Sequence, residues 1–233
     1  MSKSIRCWCQ SSIGKKWIVA LTGCVLVAYV LGHLAGNLQI FLPDHGEHIN
    51  AYGAFLHSLG PALWAIRAFL LACFVIHIVT TIQLAIENKR ARPQGYQSPH
   101  YKRSSLAGRS MVMSGLIVLC FVIFHILHFT ADVVNPKFAD MKEMLPNGTE
   151  RHNVYEMVVT GFHNPAASCF YILGMILLCM HLSHGFGSFV QTLGLNTSKI
   201  APWLVNGGRV LAVIICLGYI AIPIAVMLGY LHL

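Results

Sequence analysis

Five stretches of this chain stay apolar for twenty residues or more, and no other feature limits its fold as strongly. They fall at roughly residues 17–42, 61–86, 110–133, 165–189 and 210–231. About 20 apolar residues in a helix cross the ~30 Å hydrocarbon layer of a bilayer. In lipid a crossing segment must satisfy its own backbone polar groups, which a helix does and an open strand does not. The composition agrees: 56% of residues are hydrophobic and only 10% charged, against about 25% charged in soluble domains. The expectation is an all-α membrane protein, a single transmembrane domain over residues 1–233 with five crossing helices. Element signals punctuate the spans. Lys15-Lys16 precedes the first, Pro61 opens the second, and Asn164-Pro165 places a cap and a first-turn proline before the fourth. Pro223 interrupts the fifth, where a kink is expected.

Charge alternates from loop to loop. Lys3, Arg6, Lys15 and Lys16 precede the first span with no acid among them. Between the second and third spans, Lys89, Arg90, Arg92, Lys102, Arg103 and Arg109 face a single acid, Glu87. Lys199 and Arg209 follow the fourth. The intervening segments are acidic or mixed: Asp44 and Glu47 in one, and Asp140, Glu143, Glu150 and Glu156 against Lys137, Lys142 and Arg151 in the other. Basic loops stay on the cytoplasmic side, so the amino end is expected inside and the carboxyl end outside. The net charge of +8 is then a property of loops that meet anionic lipid headgroups, and no nucleic-acid partner is expected. Asp44 to Gly60 reads as a loop. The segment after the third span is about thirty residues long, with a short interfacial helix expected over Val154–Val159.

Six of the eight cysteines (Cys24, Cys73, Cys120, Cys169, Cys179 and Cys216) lie inside the apolar runs, where free Cys behaves as a small hydrophobe. Cys7 and Cys9 are too few for a structural zinc site. No C-x-x-C-H occurs, so covalent haem attachment is not expected.

The histidines carry the chemistry. His33, His77, His125 and His181 each sit in a different apolar span, and an ionisable side chain in a membrane points to function. By helical rise, His33 lies about 24 Å and His125 about 22 Å from the cytoplasmic ends of spans 1 and 3. His77 and His181, on the returning spans 2 and 4, lie about 14 and 12 Å from theirs. Two couples at two depths result. The sequence also repeats itself: Thr22-Gly23 precedes His33 and Ser114-Gly115 precedes His125 at the same spacing. Spans 1–2 and 3–4 therefore look like two copies of one hairpin. The Thr22 and Ser114 hydroxyls are placed to bond a propionate or a neighbouring helix. His128 and His184 follow His125 and His181 by three residues on nearly the same faces. The repeat favours His125 and the depth favours His181, leaving His128 and His184 to the headgroup region.

Two imidazoles per site are too few for zinc but suit haem iron, with the porphyrin supplying four nitrogens. Such an iron has no open position and moves electrons. Spans 1–4 would then form a four-helix bundle, which builds cofactor sites from facing helices. His33 and His125 would hold an outer haem b, and His77 and His181 an inner one. A haem-free transporter with a histidine-lined path is the competing class.

At these residues the chain resembles a known family, the dihaem cytochrome b anchor subunits of bacterial succinate:quinone oxidoreductases, in their single-anchor, five-helix form. The likeness covers nearly the whole chain. Its most specific part is His181-Leu182-Ser183-His184-Gly185-Phe186-Gly187-Ser188-Phe189, with Gly32-His33-Leu34, Ile76-His77 and Phe124-His125 in the other spans. The resemblance implies two b haems on His33, His125, His77 and His181. It implies a flavoprotein partner carrying FAD and an iron–sulfur partner docked on the basic cytoplasmic side, with segment 89–109 as the docking surface. It implies a quinone substrate of the menaquinone class, and a bacterial inner-membrane location. The chain would be the quinone-reactive subunit of an enzyme whose dicarboxylate chemistry lies on its partners. Some relatives exchange quinone protons through an outer-side glutamate, and here Glu47 matches; others place a glutamate two residues before the fourth-helix ligand, where this chain has Cys179. A cytochrome b subunit of a formate dehydrogenase or hydrogenase is the nearest alternative, and would lack the run after His181.

Overall fold

The computed structural model describes residues 8–91, 111–195 and 197–233. Seven α-helices appear among them: α1 (Ser12–Asn37), α2 (Glu47–Ser58), α3 (Pro61–Arg90), α4 (Met111–Phe129), α5 (Val154–Phe162), α6 (Pro165–Thr192) and α7 (Ala201–Met227). Five of these, α1, α3, α4, α6 and α7, are long and apolar enough to cross a membrane. They correspond to the five apolar runs of the sequence in order. Their flanks are apolar outward as well: Trp64, Leu71, Met113, Trp203 and Leu217 are each more than half exposed. An apolar surface of that extent is not sustained in water, and lipid is its solvent. The chain is a multi-pass, essentially all-helical membrane protein.

Local chemistry sets the helix ends. The Asn37 amide donates to the His33 carbonyl at 2.7 Å, and the chain tightens into a 3-10 turn over Leu38–Phe41 before Pro43. Gly60, at φ +51, turns the chain from α2 into α3. The Asn164 side chain accepts from the Ala166 amide at 2.9 Å, capping α6 ahead of Pro165. α7 begins at Ala201, earlier than the expected Val210, and runs through Pro223 without a break. The basic residue Arg209 masked that start. It lies inside α7, with its Nη1 donating to Asn206 Oδ1 at 3.4 Å; the Trp203-Leu204-Val205 turn before it is already helical.

The chain divides into two compact units, each drawn from several helices. One takes the described residues of 1–29, 66–114 and 180–212, and the other those of 30–65, 115–179 and 213–233. In the first unit, Lys15 and Glu87 pair side chain to side chain and tie α1 to α3. A Cβ on Gly208 would overlap the Phe186 ring, so α6 and α7 meet there at glycine.

The second unit holds the better-packed core. Ile40, Ile49, Phe121, Phe138, Val159, Tyr171, Met175, Ile222 and Val226 are buried in one cluster. Two segments between the crossing helices build part of it, the first of them expected to be a loop. Asp44–Gly60 contains α2, and its Asn50 is 1% exposed. The Asn50 amide donates to Glu143 Oε1 at 3.0 Å and Asn153 Oδ1 at 3.1 Å, and its carbonyl oxygen accepts from the Tyr155 amide at 2.9 Å. A buried amide satisfied on both ends anchors α2 to the facing loop. That loop folds as a 3-10 turn over Pro136–Asp140, an antiparallel hairpin of β1 (Lys142–Met144) and β2 (Glu150–His152), and α5. α5 covers the expected Val154–Val159 and extends to Phe162, capped by the Asn153 side chain accepting from the Glu156 amide.

Candidate functional site

The two histidine couples fall in different units, and each has its own geometry. In the first unit, the Thr22 hydroxyl of α1 donates to the Ile18 carbonyl at 2.7 Å and lies 3.1 Å from Nδ1 of His77 on α3. A hydroxyl has one hydrogen. With that hydrogen on the carbonyl, the Thr22 oxygen can only accept. Nδ1–H of His77 can then donate to it, the tautomer that would leave a lone pair on Nε2. Gly23 makes room for this ring: a Cβ there would stand 3.2 Å from His77 Cε1, closer than ordinary contact.

The second hairpin repeats the arrangement. On α4, Ser114 Oγ donates to the Met111 carbonyl at 3.0 Å and lies 3.4 Å from Nδ1 of His181 on α6. Ser114 itself is 4% exposed. The hydroxyl of one helix thus orients the imidazole of the next in both halves of the repeat. His77 and His181 lie within electrostatic range of each other. A Cβ on Gly185, one turn past His181, would meet nothing within 4 Å. His184 is partly buried beside it.

In the second unit the imidazoles of His33 and His125 face each other with ring centroids 5.9 Å apart and planes at 75°. Two imidazoles bound to opposite sides of one metal ion, each nitrogen about 2 Å from it, place their ring centres roughly 6 Å apart. The couple fits a bis-imidazole metal in spacing and in donor type. Tyr171 of α6 adds a polar contact that the sequence reading did not include. Its hydroxyl lies 3.3 Å from His125 Nδ1 and 3.1 Å from His128 Nδ1. Tyr219 of α7 stands 6.1 Å from His33, centroid to centroid, and donates its hydroxyl to the Val30 carbonyl at 2.8 Å.

His128 lies in the last turn of α4. It is 4% exposed, with Phe129, Phe124 and Phe138 centred 4.1, 5.3 and 5.5 Å away. The 3-10 turn at Pro136–Asp140 brings Phe138 over it, and the Tyr171 hydroxyl is its polar contact. No group of three or more His, Cys, Asp or Glu side chains suited to holding a metal ion occurs among the described residues. Each couple offers two imidazoles, so a metal held there would need its remaining donors from elsewhere.

Glu47, the candidate for proton exchange, is the first residue of α2. Its carboxylate is taken bidentately by Arg151, with Nη1 at 3.0 Å from Oε1 and Nη2 on Oε2. Arg151 also bonds Glu143 through Nε, and its side chain is 8% exposed. The guanidinium holds Glu47 below the usual glutamate range, and the two carboxylates hold Arg151 above its own. Neighbouring Asp44 pairs with His48. Burial lowers His152, the last residue of β2, while the Asp132 carboxylate opposes that shift.

Two further readings meet the described residues only in part. Cys9 is partly buried and free, and Cys7 lies outside the described residues. Lys89 and Arg90 form the last turn of α3; the rest of the basic segment, from Arg92 to Arg109, lies outside them. Tyr171, Tyr219 and Asp132 were missed. For the two tyrosines a signal was available: a phenol in an apolar span needs a partner for its hydroxyl.

No family profile, curated sequence or solved structure matches the chain.

Proposed function

We propose that the chain is the membrane-anchoring, electron-transferring cytochrome b subunit of a succinate:quinone oxidoreductase in a bacterial inner membrane. In this reading His33 and His125 hold an outer haem b, His77 and His181 hold an inner one, and the first four crossing helices form the bundle around both. The observation that carries it is the repeated contact of a hydroxyl, Thr22 or Ser114, with Nδ1 of an imidazole on the next crossing helix. A ligating histidine nearly always donates its other ring N–H to an acceptor, which frees one nitrogen for the metal. His77 and His181 are prepared in that way by the same residue type at the same repeat position, and the His33–His125 spacing supports the second couple. When bound, a haem with two axial imidazoles supplies a one-electron centre with no position open to oxygen.

The protein's share of the work is orientation and exclusion. Thr22 and Ser114 hold two rings, and Tyr171 holds a third. Apolar helix walls keep water from the couples. Electrons would pass between an iron–sulfur partner on the basic, cytoplasmic side and a quinone of the menaquinone class, with FAD and dicarboxylate chemistry on a flavoprotein partner. Glu47 is the proposed proton-exchange carboxylate at the outer face. Because Arg151 keeps it ionised, the pair must open before Glu47 can take up a proton.

The test is optical and stoichiometric. The purified protein should carry about two b-type haems per chain. H77A and H181A should each remove one haem and spare the other, and H33A and H125A should remove the complementary one. A folded, colourless preparation would end this reading.

A further inference from the structure

The Tyr171 hydroxyl poses a problem in proton counting. It lies within hydrogen-bond distance of two Nδ1 atoms, those of His125 and His128, and it has one hydrogen to give. The two imidazoles therefore cannot relate to it in the same way while it donates. It donates to one and accepts from the other, and the two rings carry opposite tautomers.

Asp132 decides which is which. It ends α4, where the Val133 and Val134 amides both return to the Leu127 carbonyl, and it occupies the left-handed region at φ +52. Helices usually end on glycine at such a position because a Cβ is strained there. An aspartate at this position places a carboxylate one turn past His128. Its Oδ1 is buried and, among the described residues, accepts no hydrogen bond. A carboxylate accepts and never donates while ionised, and Asp132 lies within electrostatic range of both His128 and His152. With Nδ1 of His128 turned to Tyr171, a proton stabilised by that field would sit on Nε2. Nδ1 of His128 is then an acceptor and takes the Tyr171 hydrogen. The phenol oxygen in turn accepts from Nδ1–H of His125, which leaves the lone pair of His125 on Nε2.

We propose that Tyr171, His128 and Asp132 form a positioning relay that selects the metal-binding tautomer of His125 and sets the redox potential of the His33–His125 site. The inference rests on the haem reading above and assigns no proton transfer to the relay. It also separates His125 from His128, which spacing along one helix face leaves equivalent. A hydrogen-bond acceptor on Nδ1–H makes an imidazole a stronger donor to its metal and favours the oxidised ion. The aromatic packing around Tyr171, with Phe121 centred 5.2 Å and Phe162 5.0 Å away, remains intact in Tyr171→Phe.

The experiment is a spectroelectrochemical titration of both haems in the assembled protein, with Y171F and D132N beside the unaltered chain. In Y171F the outer-haem midpoint should move to a more positive potential, its ferric electron-spin-resonance signal should shift, and the inner haem should titrate as before. D132N should move the outer midpoint in the same direction by less, and asparagine also tolerates the left-handed backbone at this position, so this variant serves if Y171F does not assemble. Unmoved outer midpoints in the variants that assemble, or equal movement of both haems, would overturn the relay. Loss of some haem with an unmoved potential in the remainder would mark Tyr171 as structural only, which also overturns it. A colourless unaltered protein would instead overturn the haem reading beneath it.

Discussion

A serine or threonine inside a membrane helix commonly spends its hydroxyl on a carbonyl of its own preceding turn. Thr22 and Ser114 do so, and the spent hydrogen turns each oxygen into an acceptor for an imidazole on the next helix. Thr22→Val keeps the shape and removes only that acceptor. It should weaken retention of the inner haem about 10–100-fold, the usual cost of losing a partner behind a metal ligand, and leave the outer haem bound; competitive haem transfer to an apo-globin, followed optically, measures both. At this scale the sequence was legible where position along a helix carried the information. The depth of four histidines and the Thr-Gly and Ser-Gly repeat needed only rise per residue. The partners of those hydroxyls were not legible, because the line from Thr22 to His77 crosses between helices. The partners of Tyr171 were hidden for the same reason: its hydroxyl meets residues more than forty positions away.

Among elements, the long apolar helices could be read from the chain because lipid imposes a length and a composition on them. The polar segments in the second unit were harder. α2 opens on a glutamate, a histidine and an asparagine, a composition that reads as loop until Asn50 is seen buried against Glu143, Asn153 and the Tyr155 amide. What holds α2 to β2 at its first residue is the Arg151–Glu47 pair, and its pH dependence has a definite sign. Arg151 depresses the folded-state value of Glu47. The pair therefore contributes stability that is fully present above the ordinary glutamate value and is lost as pH falls through the depressed one. Acidification into that range should loosen α2 from the hairpin while the apolar helices stay folded. Hydrogen exchange across Glu47–Ser58, compared at neutral and acidic pH, should show the loss, and Arg151→Gln should show the acid pattern already at neutral pH. Equal protection of α2 in both proteins at both pH values would remove the pair from this role.

For the molecule as a whole, the number of crossing helices and the placement of charge make a joint statement that neither makes alone. Each crossing puts the segments it separates on opposite faces, so fixing any one loop fixes all of them. The basic residues at the end of α3, Lys89 and Arg90, and the mixed hairpin between α4 and α6 are two such loops. By the positive-inside rule the first belongs to the cytoplasm and the second to the outer face. The haem assignment depends on this orientation for its direction, because the His77–His181 couple is inner only if α3 ends inside. Alkaline phosphatase, active only outside, should work when inserted at Gly148, whose φ of +80 and open surroundings mark a tolerant turn. It should be silent when inserted after Arg90. The reverse pattern would leave the two couples intact and exchange their places in the electron path: iron–sulfur docking would move to the face carrying Glu47 and Arg151, and the proposed quinone end would move to the basic loops.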